Sequence, residues 1–187
     1  GISFDGYVNF IFVGRIAPNK KQEDVIRAFS CYQRFCNPKS RLILVGSWSG
    51  AESYYRRLCR YTAALQAENV LFTGHIPFPD ILAYYHVADL FLCMSEHEGF
   101  CVPLVEAMYF GVPILAYRAC AVPDTLGDSG ILLDKKDPME TAMVADRILT
   151  DTSLRRELVA RQRRRQQDFS YGAVRALLES QLREFLK

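Results

Sequence analysis

Two stretches of this chain carry residues whose types and spacing could do chemistry. Residues 95–108 read SEHEGFCVPLVEAM, with Glu98 in a loop and Glu106 eight positions later inside a helical pattern. The start of that helix lies between them, marked by Pro103, and its free N–H groups can hold an anion. Gly99 keeps the backbone open to a close ligand. A carboxylate on each side of an anion site suits a ligand with phosphates in the middle and hydroxyls at both ends, which is the shape of a nucleotide sugar. The other stretch is Gly14-Arg15-Ile16-Ala17-Pro18-Asn19-Lys20-Lys21. Gly14 permits a sharp turn, Arg15 can fork onto phosphate oxygens, and Lys20 adds a point charge. Taken alone, this second stretch is equally a solvated basic loop.

Both stretches follow directly after an apolar run. Strand-like runs at 7–14, 41–46, 69–73, 89–94, 113–117 and 130–133 alternate with helical patterns at 22–35, 51–66, 80–86, 103–110, 138–149, 153–165 and 171–186. The first helical pattern carries Val25, Ile26, Phe29, Tyr32 and Phe35, and the second Tyr55, Leu58, Cys59, Thr62 and Leu65. Asp80 is the expected N-cap of the third, and Gly111 the residue that closes the fourth. Strand–helix alternation with short connectors predicts an α/β fold, a Rossmann-like doubly wound parallel sheet of about six strands with helices on both faces. Ligands bind such sheets beyond the carboxyl ends of the strands, where both stretches fall.

Composition narrows the function classes. The 187 residues suit a single domain, 1–187, and half of them are hydrophobic, enough for a core. A net charge of +2, from 23 basic and 21 acidic residues, gives no reason to expect nucleic acid as a partner. No apolar run reaches the length of a membrane span, no signal peptide is visible, and Gly1 is not a natural start. The six cysteines form no C-x-x-C pair and no zinc pattern; Cys59, Cys93 and Cys120 lie in or beside apolar stretches. They are expected to be buried, reduced thiols, which implies a reducing, cytoplasmic location. No Asp-x-Asp occurs, so no metal is expected, and Arg15 with Lys20 could take its place.

Blander readings apply elsewhere. The glutamates as a hydrolase acid–base pair would have to face one glycosidic oxygen, which their placement around a helix N-terminus disfavours. Glu96 reads as a solvated loop residue and His97 as a structural or exposed one. His75 and His86 lack metal spacing, and Cys101 as a nucleophile would have only His97 nearby in sequence. Trp48 is expected to cover the sheet end, and the basic run 161–165 to form the solvated face of a helix.

The Glu98-x7-Glu106 spacing, with Gly99-Phe100 and Pro103 inside it, resembles the donor site of retaining glycosyltransferases of the GT-B fold, the glycosyl transferases group 1 family. Val13-Gly14-Arg15 with Lys20 resembles that family's diphosphate loop. Residues 69–74 (NVLFTG), 84–89 (YYHVAD), 111–113 (GVP) and 121–124 (AVPD) follow in the expected order, so the resemblance covers nearly the whole chain. It implies the C-terminal, donor-binding half of a GT-B enzyme, with an N-terminal acceptor domain elsewhere in the full protein. By resemblance, Glu98 contacts the hydroxyls of the transferred sugar and Glu106 the ribose hydroxyls. Arg15 and Lys20 neutralise the departing diphosphate beside the Gly14 turn. Backbone groups of Gly99, Phe100 and Cys101 hold phosphate and sugar oxygens, and backbone around His75 and Ile76 borders the base.

The implied reaction is metal-independent hexose transfer, without a cofactor, from a UDP-sugar or GDP-mannose to a sugar or lipid-linked acceptor. The isolated domain would be inactive, and peripheral contact at the cytoplasmic membrane face is a minority reading. The final helix would pack toward the missing half, leaving Val174, Leu177, Leu178, Leu182, Phe185 and Leu186 uncovered here. The chain departs from the family pattern at Lys21 and Cys101, where glycine is common, and at Asp124, where glutamate is. The rivals are a non-catalytic nucleotide-sugar binding module and a GT-B-like nucleotide-sugar epimerase. Retention of Arg15, Lys20, Glu98 and Glu106 speaks for catalysis, and the glutamate spacing for the transferase.

Overall fold

Side chains along each strand point alternately to opposite faces, and here both faces are apolar. In the computed structural model, which describes residues 5–185, Phe10 and Phe12 of β1 (Val8–Val13) enter one core while Ile11 and Val13 enter another. The same division holds in β2 (Ser40–Val45), with Leu42 and Leu44 opposite Ile43 and Val45, and in β4 (Leu90–Cys93), with Leu90 and Leu92 opposite Phe91 and Cys93. A strand buried on both sides reads as a continuous hydrophobic run, as parallel sheets require. With β3 (Val70–Gly74), β5 (Ile114–Tyr117) and β6 (Ile131–Leu133), these strands form one parallel sheet in the order β3-β2-β1-β4-β5-β6.

Helices cover both faces. Helix α1 (Gln22–Phe35) sinks Val25, Ile26, Phe29 and Tyr32 into the first core, and α2 (Glu52–Ala64) adds Tyr54 and Leu58. Helices α3 (Phe78–Val87) and α4 (Val102–Phe110) pack on the other face. Asp137 caps α6 (Pro138–Thr150) by accepting from the Glu140 amide, and Asp151 caps α7 (Thr152–Arg165) by accepting from Ser153 and Leu154. The doubly wound sheet and its six strands are as the sequence predicts.

Four local expectations change. Asp80 is not an N-cap. Pro77 occupies that position and α3 starts at Phe78, because Pro79 fits a first turn whose N–H needs no partner; Asp80 lies in that turn. Helix α5 (Val122–Leu126) is an unexpected single turn, too short to leave a periodic signal. Of the cysteines expected to be buried only Cys93 and Cys101 are; Cys31, Cys36 and Cys59 are half-buried, and Cys120 is exposed in the turn between β5 and α5. The basic run is not simply a solvated face: Arg165 donates to the Thr125 and Asp124 carbonyls, and buried Gln162 donates to the Val112 carbonyl. Trp48 covers the sheet end as expected, stacked on Tyr55 with ring centroids 4.1 Å apart. In α8 (Tyr171–Phe185), Val174, Leu177, Leu178, Leu182 and Phe185 are all exposed; Leu186 lies outside the described residues. No helix among the described residues is long and apolar enough to cross a membrane.

Candidate functional site

The strand order reverses direction between β1 and β4: the chain winds outward from β1 to β3, then returns to β4 on the other side. Sheets of this kind bind ligands in a crevice outside the carboxyl ends of the strands at such a reversal. Both stretches singled out in the sequence leave the strands at that end, one after β1 and one after β4.

The first loop is held by backbone contacts. The Gly14 amide donates to the Val45 carbonyl and the Ile16 amide to Ser47, each at 2.9 Å, prolonging the β1–β2 pairing past the strands. Gly46 makes this approach possible: its φ is +150°, and a Cβ there would lie 2.0 Å from the Gly14 carbonyl oxygen. Gln22, fully buried, donates to the Arg15 carbonyl and exchanges hydrogen bonds with the Tyr54 hydroxyl, fixing the far end of the loop. The Arg15 side chain is exposed, donating to the Ser49 carbonyl at 3.0 Å.

The second loop is stitched to the first. The Glu96 amide donates to the Asn19 carbonyl at 2.9 Å. Lys20 Nζ lies 2.8 Å from Glu98 Oε2, and the Glu98 side chain is only 9% exposed, so this pair is shielded from solvent screening. Glu96 is exposed but not merely solvated. It bridges Lys136 at 2.8 Å and Lys21 at 3.1 Å, and these lysines, Lys136 first, hold its carboxyl below the usual range. His97 is exposed, with Nδ1 3.8 Å from the Cys120 sulfur.

Beyond the loop, α4 begins without any side-chain cap, at Cys101, whose φ of +65° is left-handed. Lys21, before α1, is left-handed too, with φ +53°. These are the two positions where the sequence departs from a glycine, and the backbone geometry explains why glycine would suit them. Space around Gly99 is open: a Cβ there would meet nothing within 4 Å. Phe100 is half exposed against the edge of Phe169, and its carbonyl accepts from Thr125.

Glu106 sits in the second turn of α4. Side chains tilt toward a helix's N-terminus, so its carboxylate leans back along α4 toward the start of the helix. It accepts a 2.7 Å hydrogen bond from Tyr85 of α3, a ring otherwise fully buried. Burial first, then the glutamate's charge, push the Tyr85 hydroxyl well above its ordinary range, so it stays a donor. Ile76 packs on the same sheet face as Tyr85, and His75 is exposed. Among the described residues no hydrogen bond or ion pair joins His75 to the two glutamates.

The structure thus brings Lys20, Glu98 and Cys101 together beyond β1 and β4, while Gly14 is tied to the end of β2, Arg15 reaches the Ser49 carbonyl and Glu106 is bonded to Tyr85. Sequence reasoning missed Tyr85 and Gln22. A tyrosine hydroxyl inside an otherwise apolar helix is a signal for the first, since a buried phenol needs a partner; Gln22 left none.

A Rossmann-like sheet with cations and carboxylates gathered at its switch point defines a class of ligand-binding α/β domain. Within that class, the family described as Glycosyl transferases group 1 matches residues 3–165, and the chain belongs to it. A D-inositol 3-phosphate glycosyltransferase of Acidothermus cellulolyticus is 32% identical over 85% of this chain and 37% of its own length. Anabaena HepE, solved in complex with UDP and glucose, superposes with a TM-score of 0.83 at 24% identity, covering 95% of this chain and 48% of that one. The C-terminal domain of a Francisella tularensis group 1 glycosyl transferase (LpcC) gives a TM-score of 0.68 at 22% identity, covering 84% of this chain and 83% of that one. The chain thus spans less than half the length of the A. cellulolyticus relative.

Proposed function

We propose that this chain is the donor-binding half of a retaining glycosyltransferase. It would move a hexose from a UDP-sugar or GDP-mannose to a sugar or lipid-linked acceptor held by a further, N-terminal domain. The observation that carries this reading is the Lys20–Glu98 pair, which joins the loops after β1 and β4 across the switch point. Breaking a sugar–diphosphate bond builds negative charge on the leaving oxygen. Fixed charges and helix amides stabilise that charge most where it grows. Lys20 and Arg15 would take the diphosphate, assisted by the uncapped N-terminus of α4. Once a phosphate engages Lys20, Glu98 is free to accept from sugar hydroxyls. Open space at Gly99 admits the sugar, and Glu106, aimed by Tyr85, accepts from the ribose. This chemistry needs no metal, and the acceptor would arrive on the face the diphosphate leaves.

Calorimetric titration with UDP, GDP and ADP, with and without magnesium, tests the reading. One nucleotide should bind without magnesium, and Arg15→Ala and Glu106→Ala should each weaken it by about tenfold, the loss of one charge-assisted contact. Failure of all three nucleotides to bind both this chain and the intact protein would reject the proposal, as would an absolute need for magnesium. A milder change probes the aiming of Glu106. Tyr85→Phe removes the hydroxyl shared between Glu106, at 2.7 Å, and the Pro103 carbonyl, at 3.3 Å, and should weaken nucleotide binding by about fivefold, roughly 1 kcal/mol. The same substitution should leave a 2′-deoxynucleotide almost unaffected. Equal losses for both nucleotides would separate Glu106 from ribose recognition.

A further inference from the structure

Two of the six cysteines meet beside Glu98. Cys93 ends β4 and is 1% exposed, and Cys101 precedes α4 and is 7% exposed. The two sulfurs and a Glu98 carboxylate oxygen all lie within 4.8 Å of one another. The sequence offers no hint of this, since seven residues lie between the cysteines and no ligand-spacing pattern contains them. The β4–α4 turn folds back and superimposes them.

We propose that Cys93, Cys101 and Glu98 form a binding site for a thiophilic divalent cation of the zinc or cadmium kind. Around one tetrahedral zinc ion, sulfur lies at about 2.3 Å and carboxylate oxygen at about 2.1 Å, so the donors must sit roughly 3.5–3.8 Å apart. The observed separations need only a modest inward movement of side chains. Two sulfur donors exclude magnesium and calcium, which require oxygen. The charges also fit. As the ion binds, both thiols release their protons to solvent, leaving two thiolates and a carboxylate around a dication. The single negative charge left over faces Lys20, 2.8 Å from Glu98.

Three protein donors leave the fourth tetrahedral position to water or an anion. Cys101 is held for this contact in a left-handed conformation that costs a side chain about 1–2 kcal/mol and glycine nothing. Ser95, whose hydroxyl lies 3.5 Å from the Cys93 sulfur, further fixes that thiol. Binding would engage the carboxylate assigned above to the sugar, so on that reading the ion blocks transfer. The binding itself does not depend on the reading.

Cadmium titration of the reduced 187-residue chain tests the site through the ultraviolet thiolate-to-cadmium charge-transfer band, which reports sulfur ligation independently of any nucleotide. One equivalent should give a saturating band, and zinc should compete it away. Cys101→Gly suits the left-handed backbone and so preserves the fold, which circular dichroism checks. It should weaken binding by about 100-fold or more, and Glu98→Gln by about tenfold, reflecting the loss of one of three ligands. No band at one equivalent would overturn the proposal. So would a band of unchanged intensity and affinity in folded Cys101→Gly, which would place the ion on Cys31, Cys36, Cys59 or Cys120.

Discussion

On the proposed reading, Lys20→Ala in the full-length protein should lower kcat for sugar transfer about 10²–10³-fold, equivalent to some 3–4 kcal/mol of transition-state stabilisation. Two effects combine. The variant removes the cation nearest the Glu98 carboxylate, so the leaving diphosphate loses a fixed charge where negative charge grows. It also strips Glu98 of its 2.8 Å partner in a position only 9% exposed, where an unpaired carboxylate resists the approach of a second anion. Nucleotide affinity should fall less than kcat, because Lys20 acts more strongly on the charge that develops than on the charge already present. Lys21→Ala is the matched control. It removes the adjacent cation, whose partner is the exposed Glu96, and should change kcat by less than about threefold, in line with the small worth of exposed pairs. Equal losses in the two variants would mean that the loop supplies only a general positive field, and the assignment of Lys20 to the leaving group would fail.

The readability of this site in the sequence follows the range of the contacts involved. Strands buried on both faces declare themselves as unbroken apolar runs, and the ends read from the sequence fall within one residue of those in the structure for all six strands. The candidate site could be placed from sequence because the switch-point rule turns topology into location, beyond the ends of β1 and β4. Partnerships across the fold were not legible. Tyr85 reaches Glu106 across 21 residues, Lys20 reaches Glu98 across 78, and Arg165 anchors α5 across 40. Each is made by helices or loops whose mutual position depends on the whole sheet, and local periodicity carries no trace of that. The same cause hid the meeting of Cys93 with Cys101, although the two are close in sequence, since it depends on how sharply the chain turns between β4 and α4.

The glycines separate fold from ligand more cleanly than the charges do. Gly46→Ala should destabilise the domain by about 3–5 kcal/mol, a large share of the roughly 5–15 kcal/mol that domains possess. Its Cβ would stand 2.0 Å from the Gly14 carbonyl oxygen and 2.7 Å from the carbonyl carbon, both backbone atoms with no side chain to rotate away. The ends of β1 and β2 must then separate, breaking the Gly14–Val45 and Ile16–Ser47 hydrogen bonds at about 1 kcal/mol each, and alanine at a φ of +150° adds about 1–3 kcal/mol of strain. Gly99→Ala makes the opposite prediction. Its backbone is not left-handed and its Cβ meets nothing within 4 Å, so stability should stay within about 0.5 kcal/mol of the parent. What the new methyl group occupies is the open space proposed for the sugar, so affinity for the nucleotide sugar should fall while affinity for the bare nucleotide holds. Urea unfolding of both variants, beside titration of Gly99→Ala with nucleotide and nucleotide sugar, reads all of this. A Gly46→Ala domain as stable as the parent would mean the two loops are not in the close contact described, and a Gly99→Ala domain that still discriminates for the sugar would move the sugar away from the β4–α4 turn.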